Sequence, residues 1–409
     1  MASIDTMLGL IGKLESPYIT VHQERCALVR NRHADCLRCA ESCASGCISY
    51  DGEVLTVSPE KCIGCGTCAT VCPTCALEAH HPSDAALVAA ARVSLAANEG
   101  VAYLGCGELL ERARDRYDEE KIARVECLGR VDEALLADLA VEGAREVVLI
   151  HGDCERCEHA RGRACAEAVV ETAGKLLEIW GSPMAVRFSG KLPASAKKMA
   201  DHDSARRAAL TEGAALAARA GAVVAETAVG EALGDAGNAV AAGVGAEAAP
   251  AADARDVSRY LKVMDDGTLP HFIPDRRERL LNSLASLGEP EDVMVDTRLW
   301  GHVIIDTDAC ASCQMCAVFC PTGALAKYAC ADGTFGVEHR PSDCVKCRSC
   351  EAICPEHAIE ISEEVFAVDL MGGVTDRYVM RPRAVQHDTP HTIWHKAQTM
   401  MKTDQVYER

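Results

Sequence analysis

Residues 62–73, CIGCGTCATVCP, set three cysteines two residues apart, a fourth after a gap of three, and then proline. CASCQMCAVFCP (310–321) and CVKCRSCEAICP (344–355) repeat that spacing. Thiolates are soft ligands, and three of them at this spacing let one curled loop wrap three corners of a cube. Small residues between them, Gly64, Gly66 and Thr67, let backbone amides point at the sulfurs. The fourth thiol leaves the loop and reaches a second cube, so two such motifs exchange their fourth ligands. The chemistry this spacing selects is one-electron transfer at [4Fe–4S] clusters.

The C-terminal pair meets the pattern in full. It assigns Cys310, Cys313, Cys316 and Cys354 to one cluster, and Cys344, Cys347, Cys350 and Cys320 to the other. Structural zinc is the rival, but it uses two Cys-x2-Cys pairs farther apart. The N-terminal pair is regular only in Cys62, Cys65, Cys68 and Cys72. Its first half runs Cys36, Cys39, Cys43, Cys47, with two gaps of three residues and Ile48 in place of proline. The expected sets are Cys36, Cys39, Cys43 and Cys72 for one cluster, and Cys62, Cys65, Cys68 and Cys47 for the other. A self-contained site of Cys36, Cys39, Cys43 and Cys47 is the alternative. Cys26 and Cys75 are spare, with Cys75 standing where Gly323 stands in the C-terminal copy. Cys330 is expected to be a packed thiol. Lys346 and Arg348 lie inside the Cys344–Cys350 loop. Positive charge favours the more negative reduced form, so that cluster should have a higher potential than the one at Cys62, Cys65 and Cys68.

Both cysteine-rich ends resemble bacterial dicluster ferredoxins. The resemblance implies four [4Fe–4S] clusters in two ferredoxin-like domains.

Between them, VAYL (101–104), IARVEC (122–127), EVVLI (146–150) and MAVRF (184–188) read as apolar strands. Helical stretches at 107–118, 132–142 and 158–179 separate them. Strand–helix alternation argues for a parallel sheet. Cys106, Cys127, Cys154 and Cys157 then lie at its carboxyl edge, where ligands bind. They are candidates for a fifth iron–sulfur site. A Cys154–Cys157 redox pair is the rival, and Cys165 is unassigned. Residues 126–162 resemble the delta subunit of methyl-viologen-reducing hydrogenase through Cys127, Gly129, Arg130, Val131, Asp132, Gly152, Asp153 and Cys154. That family passes electrons toward heterodisulfide reductase, and its cluster is usually described as [2Fe–2S]. This chain has Cys106 alone where the family has Cys-x2-Cys. It has Ile150-His151 where the family has Cys-His.

The elements that carry these groups divide the 409 residues into five segments. Residues 1–82 form a dicluster domain with an amphipathic leader helix over 3–14, and 83–190 form the α/β domain. Residues 191–270 are an Ala/Gly-rich linker. Residues 271–365 hold a helix at 274–288 and the second dicluster domain, and 366–409 form a tail without a core pattern. His387, His391 and His395 in that tail are interrupted by Pro390. The fold class is α+β multidomain: two ferredoxin-like domains flanking a small parallel, flavodoxin- or Rossmann-like α/β domain. A formal charge of −19 leaves no basic face for nucleic acid. No apolar run approaches a membrane span, and no basic leader opens the chain. With 24 cysteines, a reducing cytoplasm is expected. No dinucleotide fingerprint, P-loop or HExxH motif is present, so no catalytic residue is assigned. The function expected is an electron-transfer subunit of an anaerobic oxidoreductase complex. Its partners would be a hydrogenase, a heterodisulfide-reductase-like module, or a flavin or molybdenum enzyme. The alternatives are a thiol–disulfide reductase at Cys154 and Cys157, or an iron–sulfur redox sensor.

Overall fold

The computed structural model describes residues 16–114, 116–198, 264 and 267–381. The expected leader helix, the Ala-rich arm and the three tail histidines lie outside the described residues.

The N-terminal cysteine-rich unit is built from very short elements. Strand β1 (Ile19–Val21) leads through α1 (Ala27–Arg30) and α2 (Arg38–Ser42) to a hairpin of β2 (Ile48–Tyr50) and β3 (Leu55–Val57). Then come α3 (Thr67–Val71) and β4 (Leu77–Ala79), which closes antiparallel on β1. Its core is rich in sulfur: Cys26, Cys39, Cys43, Cys47 and Cys68 are buried with Ile19, Leu28, Val29, Leu55 and Leu77. So small a unit buries little hydrocarbon of its own.

The central segment folds as the alternation predicts. Helix α4 (Asp84–Ala97), capped by the Ser83 hydroxyl, precedes β5 (Val101–Cys106). Next follow α5 (Gly107–Arg112), β6 (Ala123–Val125), α6 (Glu133–Val141), β7 (Glu146–Ile150), α7 (Gly162–Ile179) and β8 (Ala185–Ser189). The four strands are parallel in the order β6-β5-β7-β8. Leu104, Val147, Leu149 and Ile150 are fully buried, as central parallel strands covered on both faces require. Two expected helices are shorter than their apolar pattern. The first ends at Arg112, and the last begins at Gly162 because 151–161 form the loop that carries Cys154 and Cys157.

In the C-terminal unit, α8 (Asp275–Leu287) starts after Pro274 and stops at Gly288, whose φ is +133°. Strand β9 (Met294–Asp296) precedes β10 (His302–Ile305), α9 (Met315–Phe319), β11 (Leu325–Ala329) and β12 (Phe335–His339). Helix α10 (Ser349–Ile353) and strands β13 (Ile359–Ser362), β14 (Glu364–Phe366) and β15 (Asp376–Met380) complete it. Strand β10 pairs with β13 and β9 with β14, while β11, β12 and β15 form a three-stranded sheet. The segment beyond 366, expected to lack a core, contributes buried Leu370 and Met380. The β11–β12 hairpin leaves an open edge, and β15 fills it. Cys330, expected to be packed, lies exposed in the β11–β12 turn.

The three parts share packing. Ala134 and Ala137 of α6, Leu176 of α7, and Leu280 and Leu284 of α8 form one buried cluster with Trp180 and Trp300. Burying each leucine there contributes about 2 kcal/mol. Arg298 reaches Glu133 through two hydrogen bonds of 2.7 Å. The two cysteine-rich units meet directly. Asn31 donates to the Ser349 carbonyl at 3.0 Å, and Arg38 donates to the Lys346 carbonyl at 2.9 Å. Arg30 donates to the Cys320 carbonyl at 3.3 Å.

Candidate metal centres

The three regular motifs share one backbone form. Each second cysteine is flanked by two residues in the left-handed region: Gly64 and Gly66, Ser312 and Gln314, Lys346 and Arg348. That curl wraps three thiols around one point. Each third cysteine, Cys68, Cys316 or Cys350, is the second residue of a five-residue helix. Each fourth cysteine follows that helix in extended conformation: Cys72, Cys320 or Cys354. The turn beyond it aims amides back at the sulfur. Ala76 N–H lies 3.2 Å from Cys72 Sγ, and Ala358 N–H lies 3.3 Å from Cys354 Sγ.

In the C-terminal unit Cys316, Cys320, Cys344 and Cys350 share one buried cluster, with Cys310 packed against it. Burial first, and then the thiols of Cys313, Cys310 and Cys354, push the Cys316 thiol up to about 12. Burial likewise raises Cys350, with Cys347, Cys344 and Cys320 as its thiol neighbours. Groups this buried and this close stay protonated unless a metal replaces the protons. Lys346 and Arg348 are both ion-paired beside this site. Lys346 Nζ donates to the Thr297 carbonyl at 2.8 Å and pairs with Glu363, while Arg348 pairs with Glu351 and Glu363. Two further cations face it: Arg277, stacked 4.3 Å from the Trp300 ring and donating to the Cys344 carbonyl, and Arg30, donating to the Cys320 carbonyl.

In the N-terminal unit Cys43 departs from the expected set. Its Sγ lies 3.4 Å from Cys47 Sγ, and Cys65 and Cys68 both feel its charge. The Cys47 hydrogen bond lowers the Cys62 thiol to about 5. Cys39 instead has Cys72, Cys26 and Cys36 as its thiol neighbours, and burial raises it to about 12. Cys26, set aside by its spacing, is buried in the same cluster as Cys39, with Cys72 packed against it. Its approach is made by the fold of 19–30, and nothing in the local pattern signals it. Cys75 adopts φ +48° where Gly323 has +75°, and its Sγ receives Arg276 Nε at 3.2 Å.

The central segment brings four of its five cysteines together. Cys106, Cys127, Cys154 and Cys157 line one small pocket with Glu108, Glu126, His151, His159 and Arg163. Amides of Gly152, Gly129 and His159 point at the sulfurs of Cys106, Cys127 and Cys157, at 3.2, 3.5 and 3.4 Å. Asp132 caps α6 by accepting from Leu135 N–H at 2.8 Å, and buried Arg130 pairs with Asp84, so the Gly-Arg-Val-Asp turn is held from both sides. Close approach explains Gly162, where a Cβ would stand 2.1 Å from Cys127 Sγ. Burial raises the Cys127 thiol to about 12. Cys165 is buried apart from these four, with its thiol toward the Gly129 carbonyl at 3.5 Å. A set of two buried and two half-buried thiols with convergent amide donors fits an iron–sulfur group.

Comparison with known families agrees with this chemistry. The 4Fe-4S binding domain model matches residues 55–78, 303–326 and 337–360. The model for the methyl-viologen-reducing hydrogenase, delta subunit, matches residues 97–202. Over 59 residues the chain is 41% identical to the Escherichia coli (strain K12) protein named "Putative oxidoreductase AegA". That stretch is 14% of this chain and 9% of the relative. No solved structure matches. Among the described residues no helix is long and apolar enough to cross a membrane. The chain thus carries [4Fe–4S]-binding segments on both sides of a segment similar to a hydrogenase delta subunit.

Proposed function

We propose that this chain is a linear electron relay of five iron–sulfur sites within a cytoplasmic anaerobic oxidoreductase complex. The order runs from the central cavity to the Cys62, Cys65, Cys68 site, then the Cys36, Cys39, Cys72 site. It continues through the Cys344, Cys347, Cys350, Cys320 site to the Cys310, Cys313, Cys316, Cys354 site. The observation that carries it is that the elements bearing the thiol sets adjoin in series. Thr67, next to Cys68, lies against Gly129 beside Cys127; Cys68 and Cys39 share one buried cluster; Arg38, next to Cys39, bonds the Lys346 carbonyl next to Cys347; and Cys350 and Cys316 share another buried cluster. A cluster held in each set supplies one-electron capacity with little rearrangement. The protein's own groups exclude water and donate amides to sulfur. They also lock the junctions, through Arg38 and Asn31 between the two units and Thr67 against Gly129 at the central site. The two ends suit partners: the central cavity at one, the exposed Cys313 at the other. A hydrogenase, a heterodisulfide-reductase-like module, or a flavin or molybdenum enzyme would deliver and remove the electrons.

Anaerobic iron and sulfide counting with EPR tests this. Adjacent reduced sites broaden one another's signals. Cys347→Ser, an interior loss, should simplify the signals of two neighbours, and Cys313→Ser, at the end, only one. A colourless, zinc-loaded protein, or five uncoupled signals, would refute the relay. The thiol–disulfide alternative has Cys157 Sγ 3.7 Å from His159 Nδ1 in its favour. Retained cluster signals with lost thiol–disulfide turnover in Cys157→Ser would establish it instead.

A further inference from the structure

The irregular half of the N-terminal unit becomes regular once its backbone is laid over the other three motifs. Helix α2 has five residues, like α3, α9 and α10, and Cys39 is its second residue, as Cys68, Cys316 and Cys350 are of theirs. Cys43 follows at φ −76°, ψ 113°, against −69°, 114° for Cys72 and −71°, 112° for Cys354. Three residues on, Gly46 is left-handed at +63°, as are Cys75, Gly323 and His357. The next residue is Cys47, in the place of Ala76, Ala324 and Ala358, and strand β2 begins after it as β4, β11 and β13 do. So Cys39 holds the third-ligand place and Cys43 the fourth. Cys36 holds the second, and counting back three more reaches His33 rather than a cysteine.

The backbone before α2 differs to match. Leu37 has φ −111°, and neither Asp35 nor Leu37 is left-handed, so the curl of the regular motifs is missing here. The first thiol must come from elsewhere. Cys26 stands at the head of α1, buried in the same cluster as Cys39 and packed with Cys72.

We infer that Cys26 completes the site of Cys36, Cys39 and Cys72, while Cys43 crosses to Cys62, Cys65 and Cys68. Cys47 is then a surplus thiol beside the second site. This rests on the cluster reading of the N-terminal unit and changes its ligands. It makes the unit an ordinary ligand-exchanging pair whose first cysteine is displaced seven residues upstream of its usual place, from 33 to 26.

The test uses the full chain purified without oxygen, with iron counting, EPR and a thermal melt for each variant. Cys39→Ser and Cys68→Ser first identify the signal of each site. Cys26→Ser should lose about four irons per chain and the same signal that Cys39→Ser loses. Cys47→Ser should keep all its iron. Cys26→Ser with full iron, or His33→Ala losing the Cys39 signal, overturns the assignment. If Cys26→Ser does not fold, Cys43→Ser decides. Loss of the Cys68 signal upholds the exchange, and loss of the Cys39 signal, or retention of both, overturns it. A wild-type chain with no cluster signal from this unit would instead sink the reading beneath it.

Discussion

The N-terminal and C-terminal cysteine-rich units reach one backbone by different residues. At the curl of Cys62–Cys68 both left-handed positions are glycine, whereas the C-terminal loops place Ser312, Gln314, Lys346 and Arg348 there. Left-handed backbone costs a side-chain-bearing residue about 1–2 kcal/mol. The C-terminal unit offsets it with side-chain bonds: Gln314 to the Gly336 carbonyl at 2.7 Å, Ser312 to the Arg381 carbonyl at 2.7 Å, and Lys346 to Thr297. The N-terminal unit has no room for such side chains, because Tyr18 lies over Gly64 and Arg130 over Gly66. Conformation is therefore what the motif demands, and glycine is one of two ways to meet it.

The units also hold each other's helix ends unequally. Arg276 of α8 reaches the Ala69, Thr70 and Cys72 carbonyls at the end of α3, and the Cys75 sulfur. In return Arg30 reaches the Cys320 carbonyl at the end of α9, and the Glu24 carbonyl. Arg276→Met should therefore lower stability most, by about 3 kcal/mol, and Arg30→Met by about 2 kcal/mol. Denaturant midpoints of the two variants at unchanged slope check this. Equal losses would mean the units are held symmetrically.

Next in size is a pH effect confined to the C-terminal unit. His339 is fully buried, with its pKa lowered to about 3 by burial and then by His302, whose ring stacks on it at 5.7 Å. Asp376 faces both. The folded value lies below the unfolded one near 6.5, so no penalty exists above pH 6.5. As pH falls, the unfolded chain takes a proton that the folded one refuses. Stability should drop by up to about 1.4 kcal/mol per pH unit, or about 2 kcal/mol by pH 5. Stability measured between pH 5 and 7.5 should lose that slope in His339→Leu. An unchanged slope would place the titration elsewhere.

What the sequence made legible divides along the same line. Ligand spacing is local, so Cys310, Cys313 and Cys316 could be grouped without a structure, and apolar alternation located all four central strands. Convergence of Cys106, Cys127, Cys154 and Cys157 followed from parallel strands sharing one carboxyl edge. Contacts set by distant chain were not legible. Cys26 reaches Cys39 only because of the turn at 22–26. Arg276 finds α3 across 204 residues of chain. The edge that β15 fills exists only after the β11–β12 hairpin forms. The extra residue before Cys43 read as a wider loop; under the assignment inferred above it is a shift of register by one ligand.

Two smaller predictions sharpen the comparison of backbone and residue type. Gly66→Ala would bring a Cβ within 2.4 Å of Arg130 Cδ, at a residue with φ +73°. Arg130 is held by the Pro82 carbonyl and Asp84, so it cannot retreat freely. A loss of about 1–2 kcal/mol in a thermal or denaturant melt is expected. A neutral result would show that the N-terminal curl has the slack found in the C-terminal loops.

The smallest effect concerns the left-handed residue after each fourth cysteine, where the four copies carry Gly46, Cys75, Gly323 and His357. His357 is exposed at φ +51°, while a Cβ on Gly46 would meet nothing within 4 Å. Sterics at these two places reduce to the backbone preference alone. His357→Gly should relieve strain and stabilise by about 0.5–1 kcal/mol, less than the full relief because glycine also frees the unfolded chain. Gly46→Ala should cost about 1 kcal/mol by the same rule run in reverse. Opposite signs in paired melts would show that one backbone state governs both units. A destabilised His357→Gly would mean that the imidazole makes a contact that outweighs its strained backbone.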